Sequence, residues 1–102
     1  MTVKIALLCM AGMSTSLLVN KMKAAVAETN DDTDICAYPA EKFESIINEY
    51  DVFLLGPQIR YKLSEFKPIA ESAGKPIAII DMIDYGMANG AAILDKALKL
   101  VD

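Results

Sequence analysis

The chain has 102 residues, of which 54% are hydrophobic, so it supports one domain, residues 1–102, around one core. Ten basic residues against fourteen acidic ones leave a net charge of −4, which excludes a general nucleic-acid binder, since that needs a basic surface to displace counterions. Histidine is absent, which excludes a catalytic triad or zinc site built on it, and excludes this chain as a histidine phosphodonor.

No apolar stretch approaches the roughly 20 residues that span a bilayer. The opening Met1-Thr2-Val3-Lys4 lacks the charged-then-apolar pattern of a secretion signal. Two cysteines, Cys9 and Cys36, lie far apart in the chain. A disulfide framework is not expected, and a reducing cytoplasm is.

In chain order, residues 3–8 are a short β-prone apolar run closed by Cys9, as in a strand covered on both faces. Residues 10–16 are small and polar. A helix follows, with Leu17, Leu18, Met22, Ala25 and Val26 expected on its core face and residues 29–32 ending it. Residues 33–37 predict a weak second strand. Pro39 and Ala40 open a helix to about Asn48 that turns Phe43, Ile46 and Ile47 inward. Residues 51–55 predict a buried strand broken at Gly56-Pro57. The next helical stretch carries Ile59, Leu63, Phe66 and Ile69, with Pro68 expected to interrupt it. Residues 76–80 predict the fourth strand. A last amphipathic helix, about 86–101, places Ile93, Leu94, Ala97, Leu98 and Val101 on the core.

Strands alternating with helices predict an α/β fold: a single four-stranded parallel sheet with helices on both faces. Ligands of such sheets bind beyond the carboxyl ends of the strands, where strand order reverses. Three loops share that rim: residues 9–16, 56–59 and 81–85.

The first of them carries the chemistry. It reads Cys9, Met10, Ala11, Gly12, Met13, Ser14, Thr15, Ser16. Gly12 permits a sharp turn and a close approach of backbone to ligand. The hydroxyls of Ser14, Thr15 and Ser16 suit both a helix cap and an anion. The unpartnered N–H groups of the first helical turn, with the positive end of the helix dipole, complete a cradle whose best-fitting anion is a phosphate. At its edge Cys9 is placed to be a nucleophilic thiolate. Lys4, Lys21 and Lys23 precede the first carboxylate, Glu28, so no acidic side chain in this segment repels a phosphorylated sulfur. Met10 and Met13 suit an adaptable apolar rim for docking. Cys36, with no such loop beside it, reads as a core residue.

Residues 3–18 resemble the IIB subunits of the lactose/cellobiose/diacetylchitobiose family of the bacterial sugar phosphotransferase system. Leu54-Leu55-Gly56-Pro57-Gln58-Ile59 with Tyr61, and Ile80-Asp81 with Tyr85-Gly86, extend the likeness over essentially the whole chain. That resemblance implies a fold similar to low-molecular-weight tyrosine phosphatases. It implies a cysteine, matching Cys9, that accepts phosphate from a phosphohistidine of IIA and gives it to a sugar bound by the membrane permease IIC. It implies that Met10, Ala11, Gly12, Met13, Ser14, Thr15 and Ser16 hold the phosphoryl group. No metal or cofactor is called for. A cytoplasmic monomer, meeting the membrane only through IIC, and a β-linked disaccharide such as cellobiose or diacetylchitobiose are the accompanying expectations.

A cysteine phosphatase of similar fold fits less well. It needs an arginine six residues after the nucleophile, where Thr15 stands, and Arg60 is the only arginine in the chain. It also needs an acid, and Asp81 and Asp84 read better as caps of the following turn. A receiver domain would carry paired acids where Leu8-Cys9 stand, and a flavodoxin-like module would have no need of Cys9. Gln58 reads as a helix cap or as a contact to IIA or the phosphate, Tyr61 as packing, and Arg60 as a solvated charge or a partner contact.

Overall fold

The computed structural model describes residues 3–9, 15–29 and 33–101. Strands β1 (Val3–Cys9), β2 (Thr33–Pro39), β3 (Val52–Leu55) and β4 (Ile77–Ile79) form one sheet in the order β2-β1-β3-β4. Every pairing is parallel, with Ile5 beside both Ile35 and Val52, and Phe53 beside Ile77. Helices α1 (Thr15–Thr29), α2 (Phe43–Ile46), α3 (Leu63–Ser72), α4 (Met82–Gly86) and α5 (Gly90–Leu100) alternate with the strands, as expected.

β1 and β3 are central, so their residues from Ile5 to Cys9 and from Val52 to Leu55 are all buried. That is why both read as continuous apolar runs. Alternation along β1 divides the core in two. Ile5 and Leu7 pack with Leu18, Met22 and Ala25 of α1 and Ile93, Leu94 and Ala97 of α5. Ala6 and Leu8 pack on the other face with Phe43, Tyr50, Ile59 and Phe66. There Phe43 stacks on Phe66 at 4.3 Å and meets Phe53 edge-on at 5.0 Å. Fully burying each such ring contributes about 1.5–3 kcal/mol.

The chain departs from its sequence pattern at four places. Leu17 is 59% exposed, because Leu18, Met22 and Ala25 already form the inward stripe and Leu17 lies about 100° away from Leu18. The second helix does not reach Asn48: one 3₁₀ turn, Ala40–Lys42, leads into the single α-turn of α2. A three-residue bond from Glu49 N–H to the Ile46 carbonyl (2.9 Å) closes it, although Phe43 and Ile46 are buried as expected. α3 runs straight through Pro68. The bond Pro68 cannot donate would go to Ser64, and both residues are exposed, so the freed carbonyl lies on the solvent side of the helix and no buried bond is lost. The irregularity falls earlier, at Ile59 (φ −116°, ψ 24°) inside the 3₁₀ segment Pro57–Lys62.

The fourth departure is the last helix, which is two. α4 ends in a Schellman motif: Asn89 N–H reaches the Asp84 carbonyl at 2.8 Å, and Ala88 N–H reaches that of Tyr85 at 3.1 Å. The left-handed position of that motif is Ala88, at φ 52°, where glycine is usual. Asn89 then caps α5 by accepting from Ala92 N–H at 3.3 Å. α5 starts against α1 with almost no gap. A Cβ on Gly90 would lie 2.5 Å from the carbonyl carbon of Lys21 and 2.6 Å from the nitrogen of Met22.

Candidate functional site

Strand order reverses between β1 and β3: the chain leaves β1 for β2 on one side and returns to β3 and β4 on the other. The crevice beyond these two strand ends is where such sheets take ligands. Cys9 is the last residue of β1 and is 4% exposed. Its position in the alternation puts it on the face of Ile5 and Leu7, the face that α1 and α5 cover. Cys9 Sγ donates to the carbonyl oxygen of Tyr38 at 3.6 Å. Thr15 and Ser16 open α1; their side chains, and Met10, Ala11, Gly12, Met13 and Ser14 whole, lie outside the described residues.

The neighbouring strand ends form the rest of the rim. Gly56 N–H donates to the Leu8 carbonyl at 3.0 Å, tying the end of β3 to the end of β1, and Ile80 N–H donates to Leu55 at 2.9 Å. The ends of β1, β3 and β4, from which the three expected loops leave, therefore lie side by side on one edge of the sheet. Gly56 is crowded: a Cβ there would stand 3.1 Å from Gln58 Oε1 and 3.6 Å from the Leu8 carbonyl oxygen.

Asp81 is a cap, as its sequence position suggested. Its Oδ2 accepts from Ile83 N–H and Asp84 N–H, both at 3.1 Å. Asp84 is taken by Lys96, whose Nζ lies 3.1 Å from Oδ2. The hydrogen bond and charge of Asp84 hold the Lys96 ammonium above its usual pKa. Asp84, expected as a cap as well, instead ties α4 to α5 through this pair, so both carboxylates of the phosphatase reading are occupied. Gln58 and Arg60 are both exposed. Tyr61, expected as packing, is instead 62% exposed.

Periodicity gave no hint of the α4 surface. Met82, Ile83 and Met87 are all exposed, beside a groove of about 300 Å³ lined by Pro57, Gln58, Met82, Tyr85 and Gly86. The signal that was available is the density of large apolar residues in a stretch too short for an amphipathic stripe. The Tyr38 carbonyl at Cys9 had no sequence signal at all, since it is a backbone group 29 residues away.

Cys36 lies elsewhere. It pairs in register with Ala6, three rows below Cys9, and is half-buried. Three residues of strand span about 10 Å and reverse the face, which rules out a bond between the two sulfurs.

Residues 4–96 match the family described as PTS system, Lactose/Cellobiose specific IIB subunit. The galactose-specific EIIB component of Lactococcus lactis subsp. cremoris is 43% identical over 96% of this chain and 95% of its own. The cellobiose-specific EIIB component of L. lactis subsp. lactis is 42% identical over the same shares. The oligo-beta-mannoside-specific EIIB component of Bacillus subtilis is 38% identical, again over 96% and 95%. Among solved structures, the lactose-specific IIB domain of Streptococcus pneumoniae superposes with a TM-score of 0.90 over all of both chains at 21% identity, a likeness of fold. The cellobiose-specific IIB component of Borrelia burgdorferi gives 0.84 at 35% identity, over 99% of this chain and 93% of that one.

The class is therefore a parallel α/β phosphotransferase component. The chain belongs to the lactose/cellobiose-specific IIB family of the sugar phosphotransferase system, and as a IIB component it works with IIA and IIC. Among the described residues, no helix is long and apolar enough to cross a membrane.

Proposed function

We propose that Cys9 carries the phosphoryl group, taking it from a phosphohistidine of IIA and passing it to a sugar bound by IIC. The observation that supports this most is position: Cys9 ends the central strand at the reversal of strand order, on the face where α1 begins. The Cys9 thiolate attacks phosphorus in line, the S–P bond forms, and the N–P bond to the donor imidazole breaks; the thiol proton has already left to solvent. In the second transfer a sugar hydroxyl attacks phosphorus and its proton leaves to solvent, the O–P bond forms, the S–P bond breaks, and the thiolate is regenerated. Such a reaction asks the protein for positioning and charge stabilisation more than for covalent chemistry.

In this reading Met10, Ala11, Gly12, Met13, Ser14, Thr15 and Ser16 surround the phosphoryl oxygens. Backbone N–H groups that are oriented before phosphate arrives need no reorganisation. The whole chain, residues 1–102, acts as one monomeric domain on the cytoplasmic side, reaching the membrane through IIC. The sugar is a β-linked one. Two relatives bear the names of β-linked substrates, cellobiose and oligo-β-mannoside. A third bears that of galactose, so the choice rests with IIC.

The test is intact-protein mass after incubation with phosphoenolpyruvate, the general phosphotransfer proteins and a cognate IIA. Wild type and Cys36→Ser gain one phosphate, and Cys9→Ser gains none. A phosphorylated Cys9→Ser, or a wild type that stays unmodified with several IIA proteins, overturns the assignment.

A further inference from the structure

The glycine that follows β3 has no conformational reason to be one. Gly56 sits at φ −62° and ψ 147°, extended backbone that any residue adopts. What a side chain there would meet is specific. The tightest contact of a Cβ would be 3.1 Å, to Gln58 Oε1, whereas the Leu8 carbonyl oxygen at 3.6 Å and Tyr85 Cε2 at 3.8 Å stand at ordinary distances. The space over Gly56 is taken by the Gln58 carboxamide, folded back from two residues on.

That space adjoins Cys9. The β1–β3 register sets Leu8 beside Leu55, and the bond from Gly56 N–H to the Leu8 carbonyl carries it one rung further, so that Gly56 stands beside Cys9. Neighbouring strands lie about 4.8 Å apart. The faces agree as well. Val52 and Leu54 pack on the side of α1 and α5, and so does Tyr85, the ring that a Cβ on Gly56 would approach. Position 56 therefore points to the same side of the sheet as Cys9. The Gln58 carboxamide lies one strand over from the sulfur, in the crevice where strand order reverses.

We propose that Gln58 is a catalytic residue of the transfer: its side-chain NH2 donates to an oxygen of the phosphoryl group on Cys9, and position 56 is glycine to leave the carboxamide room. This rests on the reading of Cys9 as the phosphate carrier. A half-turn about the last torsion exchanges the amide oxygen and nitrogen, so the same placement presents a donor to an anion. The resting thiol leans toward β2, through its bond to the Tyr38 carbonyl. A phosphorylated sulfur has no proton to keep that bond, and its charged oxygens are turned from a carbonyl toward a donor. A neutral amide also suits a carrier, since its bond to phosphate is weaker than the paired bonds of an arginine and does not trap the cargo.

The experiment uses Gln58→Ala, Gln58→Glu and Gly56→Ala. Gln58 is exposed and the Gly56 backbone suits alanine, so all three variants should fold. Single-turnover transfer from phosphorylated IIA is measured over a range of IIA concentrations, and the side-chain NH2 signals of Gln58 are followed by NMR as the protein is phosphorylated. Gln58→Ala loses about tenfold at saturating IIA, less than the hundredfold or more of a donor in a water-excluded site. Gln58→Glu keeps the shape but sets a carboxylate against the phosphate, and loses more. Gly56→Ala keeps Gln58 but displaces it, and slows transfer in the same direction. The IIA concentration at half-maximal rate is unchanged in all three, and in the wild type the Gln58 NH2 signals move on phosphorylation. Wild-type rates in Gln58→Glu overturn the inference, as do NH2 signals that stay put. A loss seen only in the IIA concentration required overturns it too, since that marks a docking contact. In each of these cases a wild type that takes up phosphate leaves the carrier reading standing; a wild type that takes none refutes that reading, and this inference with it.

Discussion

The two faces of the sheet are built by different means, and each holds one of the cysteines. On the face of α1 and α5 the core is aliphatic, and its shape depends on how closely two helices fit: Gly90 lets α5 start directly on the backbone of α1. On the face of α2 and α3 it is aromatic, with Phe43, Phe53, Phe66 and Tyr50 in edge and stacking contact. Cys9 lies on the first face and Cys36 on the second. Ring clusters contribute area and can lose a member locally. A helix seated on another helix's backbone cannot move without displacing it. The aliphatic face should therefore govern the site, and the aromatic face stability.

The sharpest challenge to that contrast is Phe43→Ala. Phe43 is 1% exposed, and its truncation is expected to cost about 3–5 kcal/mol, read as a lower urea midpoint at unchanged slope. At a temperature where the variant is still folded, phosphate transfer should stay within about twofold of wild type, given how little a distant core cavity disturbs other sites. A large loss of transfer would show that the two faces are not separable.

Gly90→Ala is the complement. Contacts of 2.5–2.7 Å to the backbone of Lys21 and Met22 cannot be relieved by a rotamer change, so α1 and α5 must part, at about 1–3 kcal/mol. Because α1 carries the loop after Cys9, transfer should fall further than for Phe43→Ala despite the smaller loss of stability. Equal transfer in the two variants would remove the distinction.

The smallest effect is expected at Ala88. A non-glycine residue in the left-handed region costs about 1–2 kcal/mol, and φ there is 52°. Ala88→Gly should raise the melting temperature by a few degrees, equivalent to about 1 kcal/mol after the added unfolded-state entropy of glycine. Transfer should not change, since α4 keeps its Schellman bonds and the Asp84–Lys96 pair.

Much of the architecture was legible because it rests on local pattern. Continuous apolar runs at residues 3–8 and 51–55 marked the two central strands, and helical spacing marked Phe43, Ile46, Ile93, Leu94 and Ala97 as core. The errors share a cause. Pro68 looked like a break because sequence shows the missing donor but not that it falls on the exposed side of the helix. Leu17 looked buried because helical spacing admits a wider stripe than the sheet covers. The last helix looked continuous because an alanine holds a position normally marked by glycine.

For the site, the sequence alone determined the chemistry on offer: a cysteine closing an apolar strand, then Gly12 and a run of hydroxyls opening a helix, with no histidine and no early carboxylate. It also placed Asp81 as a cap, since that preference is written in residue type and the turn that follows. Only the tertiary structure decided what stands around Cys9. The Tyr38 carbonyl, the Gly56 tie to Leu8 and the backbone seat of Gly90 all join segments distant in sequence. Such contacts follow from strand order and register, which depend on the packing of the whole core rather than on any local run of residues.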